Sequence, residues 1–240
     1  MKGFEGVKSP AGSTRRAFVK RAAVVGVGAA GVGLLGFPGT AAASTDGDVV
    51  AFGGAAVGAE RIAVAFYSNA LGDSSPFGVA GDRAKGSLLN SSHREYFEAA
   101  RNQEASHLAT LLSLDLSFPY STFAFPAGTF SSAKAMLAFG EQLEDVFIGA
   151  YLGAIRTGAS TGTSTGAFVA EAAAEILGVE CAHRVLIRDI AGEDPPNDRF
   201  YEGTLVPPSN ALGDTGQRST VYAAAGDAVN ALLALGITPS

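Results

Sequence analysis

Long stretches without proline, in which apolar residues recur every three or four positions, alternate along the chain with short clusters of glycine, serine, threonine and proline. Residues 48 to about 71 are rich in alanine and stop at the breaker cluster Gly72-Asp73-Ser74-Ser75-Pro76, which predicts a first helix. Ser92 and Glu95 have the spacing of a capping box, and helical periodicity runs on to about Leu116, a second helix. Residues 118–128 hold two prolines and no helical period, and form a connection. Thr129 to Ser132 offer caps for a third helix that ends near Arg156, before Gly158. After a Thr/Ser/Gly tract, a fourth helix runs from about Ala167 to Ile190 and stops at Gly192, ahead of Pro195 and Pro196. Residues 197–217 are irregular, and a shorter apolar helix follows from Ser219 to about Leu235. No segment alternates as a strand does, so the fold class is all-α. The link between the second and third helices spans roughly 12 to 14 residues, which extended reach more than about 40 Å. That length fits two antiparallel hairpins joined by one long crossover, although the other links fit a simple up-down bundle equally.

The N-terminus distorts the composition. Arg15-Arg16 stands before a weakly hydrophobic run rich in Gly and Ala (residues 22–36), and Ala41-Ala42-Ala43 follows as a small-residue cleavage site. This is the pattern of a twin-arginine export signal over residues 1–43. The run is short and rich in glycine for a membrane span, so no stable span is expected after cleavage; the alternative is an uncleaved signal anchor. The predicted organisation is therefore a signal (1–43), a four-helix bundle (44–192) and a C-terminal extension with one helix (193–240). The full chain of 240 residues has a net charge of −6. Cleavage removes six of its 17 basic residues and one of its 23 acidic ones, leaving an acidic mature domain near −11. Such a surface excludes nucleic acid as a partner, and a single cysteine excludes a disulfide framework. The expected location is the periplasm, cell envelope or extracellular space, with the twin-arginine translocase as partner during export.

Chemistry is concentrated in a repeated pattern. The second helix carries Glu104-x-x-His107 and the fourth carries Glu180-x-x-His183. Three residues turn a helix by about 300°, so each carboxylate and imidazole project from one face. The first and third helices carry Glu60 and Glu144, each with a tyrosine seven residues on, Tyr67 and Tyr151. Apolar neighbours on the same stripes, such as Ala63, Leu108, Ile176 and Ile187, aim these groups at the core, where an ionisable side chain is costly unless paired or bound to metal. Four carboxylates and two imidazoles suit two hard divalent metals. Glu141 competes with Glu144 for the third-helix position, and the matched spacing to Tyr151 favours Glu144. Tyr67 and Tyr151 are either hydrogen-bond partners of the ligands or aromatics bridging core and surface. Cys181 reads as packing, His93 as a surface residue, and Glu171 with Glu175 as a solvated face.

Taken together with Ala150-Tyr151-Leu152-Gly153-Ala154, these residues resemble the ferritin-like superfamily, over residues 49–190. The branch they look most like is that of exported bacterial ferritin-like proteins akin to plant desiccation-related proteins. The resemblance implies two Fe or Mn ions, with Glu104 and Glu180 bridging or chelating, Glu60 and Glu144 as terminal carboxylates, and His107 and His183 each on one metal. It implies oxidoreductase activity on Fe(II), O2 or peroxide, of the ferroxidase or peroxidase/catalase kind, without naming further catalytic residues. The alternative is a non-enzymatic bundle protecting against stress or desiccation. Pro195, Pro196, Pro207 and Pro208 in the tail argue against a storage cage, and the sequence leaves a monomer and a homo-oligomer both open.

Overall fold

In the computed structural model, residues 44–194, 196 and 221–240 are described; the expected export signal over residues 1–43, residues 197–217 and the expected start of the tail helix at Ser219 lie outside them. Four long helices dominate: α1 (Asp46–Ala70), α2 (Ser91–Ser113), α3 (Ala133–Ser160) and α4 (Ser164–Ile190). A short α5 (Ala225–Ala234) follows, and two-residue strands β1 (Phe123–Ala124) and β2 (Thr238–Pro239) pair antiparallel. This small pairing departs from the strand-free reading, because two residues carry no periodicity to detect. The α1–α2 and α3–α4 pairs pack as hairpins, and residues 114–132 cross between them.

Helix boundaries differ from the sequence expectation where local chemistry overrides pattern. Thr45 caps α1, and Asp48 Oδ2 accepts from the Thr45 backbone in return at 2.8 Å. For α2 the cap is Asn90, whose Oδ1 accepts from the His93 N–H at 2.8 Å, so Ser92 lies inside the helix and forms no capping box with Glu95. The same helix stops at Ser113, short of Leu116, because Asp115 takes a left-handed conformation (φ 58°). This lengthens the crossover beyond the expected 12 to 14 residues. Helix α3 runs through Gly158 to Ser160, since that glycine serves close approach rather than termination. A Cβ on Gly158 would lie 2.5 Å from the Gly166 carbonyl oxygen of α4. Thr163 caps α4, which starts at Ser164, three residues before the expected start at Ala167, and α5 is shorter than the predicted tail helix.

Two side chains fasten the crossover and hairpin. Arg61 Nη1 donates to the Phe118 and Tyr120 carbonyls at 3.2 and 2.7 Å, and Arg94 Nη1 on α2 donates to the carbonyl of Leu71, the C-cap of α1, at 2.8 Å. The core is aromatic at one end, where Phe66 meets Tyr67, Phe125, Phe130 and Phe139 with ring centroids 5.3 to 6.1 Å apart. Crossover residues Phe123, Phe125 and Phe130 are all buried there, and Leu232 of α5 and Ile237 close the same cluster. Helix α1 is long and apolar enough to cross a membrane by length and composition, but most of that stretch is buried inside the bundle.

Gly140 on α3 lets three helices converge one turn before Glu144. A Cβ at this position would stand 2.8 Å from Phe66 Cζ of α1 and 3.0 Å from Ile187 Cδ1 of α4, and both partners are fully buried. Gly140→Ala gains about 1 kcal/mol of helix propensity but overpacks a rigid site, which costs about 1–3 kcal/mol. We expect a net loss near 1 kcal/mol, and a larger loss for Gly140→Val, by urea denaturation. A Gly140→Ala protein as stable as the wild type would contradict this packing.

Candidate metal centre

Each long helix contributes ionisable groups to one volume at the bundle centre. Glu60, Glu104, Glu144 and Glu180 are 0 or 1% exposed. The flanking residues Ala63, Val64, Leu108, Leu111, Ile176 and Ile187 are buried as well, so the carboxylates sit inside apolar stripes. Water is thus withheld from four groups that would ordinarily be charged.

The contacts obey a pseudo-two-fold exchange between the hairpins. Tyr67 of α1 donates to Glu144 Oε1 of α3 at 2.5 Å, while Tyr151 of α3 donates to Glu60 Oε1 of α1. Both tyrosines are therefore buried hydrogen-bond partners of the carboxylates, and their crossed pairing makes α1 and α3 antiparallel. The second pair of helices repeats the device. His183 Nδ1 on α4 lies 2.7 Å from Glu104 Oε1 on α2, and His107 Nδ1 on α2 lies 3.5 Å from Glu180 Oε1 on α4. His107 Nδ1 is also 3.4 Å from Glu60 Oε2 and 3.3 Å from Glu104 Oε2, and His183 Nδ1 is 3.5 Å from Glu180 Oε2. Edge-on contact with Tyr67, ring centroids 5.6 Å apart, holds the His183 ring from the side.

These groups form two quartets, Glu60/Glu104/His107/Glu180 and Glu104/Glu144/Glu180/His183. Within each, one ligand atom per residue lies within 4.8 Å of all the others, and the quartets share Glu104 and Glu180. The donor set fits divalent metal by an independent observation. Glu60 Oε2, Glu104 Oε1, Glu144 Oε2, both Glu180 oxygens and His183 Nδ1 are buried without an aligned hydrogen-bond partner. Despite their 2.7 Å separation, His183 Nδ1 and Glu104 Oε1 are not aligned to bond each other. Atoms that crowd together without pairing suit a shared cation, and left unsatisfied each would cost about 1–3 kcal/mol.

Electrostatics without metal respond accordingly. Burial raises Glu104, with the Glu60 charge adding to it, and burial raises Glu144 well above the carboxylate range, with Glu180 adding. Burial also keeps the Tyr67 and Tyr151 phenols protonated, and the nearby carboxylates reinforce this. For the imidazoles, burial opposes charge but the adjoining carboxylates win, pushing His107 up to about 12 and His183 up to about 11.

Other residues weighed in the sequence fall elsewhere. Glu141 lies outside both quartets and pairs with Arg188 Nη1 at 2.8 Å, while Arg184 Nε on the same face of α4 meets Asp145 at 2.6 Å. Cys181 is half-buried and outside the quartets, His93 sits in the first turn of α2 away from them, and Glu171 and Glu175 are exposed. One functional neighbour had no signal in the spacing. Gln103 Oε1 meets His183 Nε2 at 2.8 Å, from the position just before Glu104.

Comparison with known families matches residues 45–193 to the ferritin-like domain, a span that holds all of α1 to α4. No curated protein and no solved structure matches the chain. With well over half of its length matched and the repeated hairpin carrying both Glu-x-x-His pairs, the chain belongs to the ferritin-like domain family.

Proposed function

We propose that this chain is an exported ferritin-like protein that holds two divalent iron or manganese ions and carries out redox chemistry on Fe(II), O2 or peroxide. The observation that supports it is the set of buried, unpaired carboxylate and imidazole atoms in two quartets sharing Glu104 and Glu180. Charge balance favours two ions over one, because four carboxylates carry −4 when ionised and two divalent cations return the site to neutrality with both imidazoles uncharged. Glu60, His107, Glu144 and His183 would each serve one ion, and Glu104 and Glu180 both. When bound, such a pair supplies one-electron redox steps and Lewis acidity toward a small oxygen species. The protein's own part is to orient and to insulate. Tyr67 and Tyr151 each fix one carboxylate oxygen by donation and leave the other free toward the centre. Their raised pKa keeps those protons in place throughout the physiological range. The apolar stripes exclude water that would compete for the ligands. Export by the twin-arginine route, suggested by Arg15-Arg16 and the run behind them, accords with a site assembled before translocation.

Protein purified from its native host should contain close to two Fe or Mn per chain by elemental analysis. Less than about half a metal per chain, unrestored by anaerobic Fe(II) loading, would overturn the reading.

Metal binding should release protons. At pH 7 both imidazoles lie well below their metal-free pKa values of about 12 and 11, so each is charged and must lose a proton to bind through Nδ1. Lowering the pH adds competing protons, so apparent affinity should fall steadily from pH 8 to pH 6, with about two or more protons released per chain at pH 7. Calorimetry in two buffers of different ionisation enthalpy measures this, and binding without proton release would contradict the assigned ligands.

A further inference from the structure

The two-fold exchange that relates the carboxylates, tyrosines and histidines is broken at Gln103. Gln103 immediately precedes Glu104 on α2, and its Oε1 meets Nε2 of His183 on α4 at 2.8 Å. The matching position on α4, immediately before Glu180, is Val179. Valine has no acceptor to offer His107. Among the described residues, the polar contacts of His107 are all made through Nδ1, to Glu60, Glu104 and Glu180. The surroundings differ in the same sense: the His183 side chain is 4% exposed and that of His107 13%.

We propose that Gln103 is a positioning residue that makes the two metal positions unequal, the one built from Glu104, Glu144, Glu180 and His183 being the tighter. The proposal rests on the two-metal reading above. Its physical basis is the tautomer of the imidazole. A neutral ring has one proton, and an amide oxygen at Nε2 holds it there, which leaves the Nδ1 lone pair facing Glu104 and Glu180. The same hydrogen bond fixes the plane of the ring and makes Nδ1 a stronger donor. His107 gets neither benefit from Val179, so its ring must be ordered, and its tautomer selected, at the moment of binding. Gln103 is itself exposed and spans the seam between α2 and α4. Its removal therefore spares the core.

The test is anaerobic Co(II) titration of the purified chain, followed by visible ligand-field absorption and calorimetry. The wild type should bind two Co(II) in resolved steps. Gln103→Val, which copies the other half, should weaken the tighter step by about 10- to 100-fold and leave the weaker one within twofold. Gln103→Glu keeps an acceptor and should retain the tight step. In a His183→Ala background, Gln103→Val should have no further effect, which a merely structural role would not produce. The thermal midpoint of the metal-free Gln103→Val protein should match the wild type, which keeps folding out of the comparison. Three results overturn the proposal: Gln103→Val leaving both steps unchanged, weakening both alike, or still weakening binding when His183 is absent. Failure of the wild type to take up Co(II) overturns the two-metal reading with it, whereas two bound Co(II) insensitive to Gln103 overturns this proposal alone.

Discussion

Four carboxylates withheld from water inside an apolar bundle set the terms for everything else in this protein. A buried ionised carboxylate without a partner costs several kcal/mol, and a small domain has only about 5–15 kcal/mol of net stability to draw on. The site is therefore organised for neutralisation at every level. Glu60 and Glu144 each accept from a tyrosine on the opposite hairpin, His183 stands against carboxylates of two helices and His107 against those of three, and the remaining oxygens face a shared volume. The same carboxylates push both histidines far up, against the opposing effect of burial.

Reciprocity between the hairpins explains how one short pattern, used twice, builds a single centre. If each hairpin satisfied its own groups, Tyr67 would bond Glu60 and each histidine only its own helix neighbour. Instead the tyrosine contacts cross from α1 to α3 and back, and the shortest histidine contact crosses from α4 to α2. Neither hairpin can close its polar groups alone, so the polar network and the apolar core form together and specify one arrangement of the four helices. The long crossover is the connection this needs, and Arg61 anchors it to α1 through two carbonyls.

Most of this was legible in the sequence because it repeats. Glu-x-x-His in alternate helices and Glu with a tyrosine seven residues on are helical periods, and a period survives in one dimension. The choice between Glu141 and Glu144 turned on that same repeat, and the arginines of α4 that hold Glu141 were invisible to it. Single-residue effects were likewise hidden. Asn90 took the cap from Ser92 because an amide oxygen two residues earlier already met the His93 donor. Asp115 ended α2 early through its own left-handed backbone, and Gly158, which looks like a stop, is a place of contact with α4. Gln103 carries no periodic mark at all. It matters through a hydrogen bond to a residue 80 positions away, and only a tertiary structure brings the two together.

The composition of the helices answers to the same constraint as the site. Tyrosine and glutamate can pair across a bundle only if their backbones come close, and α1 and α3 achieve this with small residues, among them Ala59, Ala63, Gly140 and Ala154 at buried positions. Small side chains bury little apolar surface, at about 25 cal/mol per Å2, so the central section holding the charged groups is also the section least able to offset them. The deficit is met beyond it. Phe66 with Phe125, Phe130 and Phe139 forms an aromatic cluster at one end, to which the crossover contributes two rings, and Leu232 and Ile237 from beyond the four-helix core cover it. The crossover and the C-terminal segment are thus part of what allows four acids to stay buried, and a bundle trimmed to its four helices would lose stabilisation where its charged centre can least spare it.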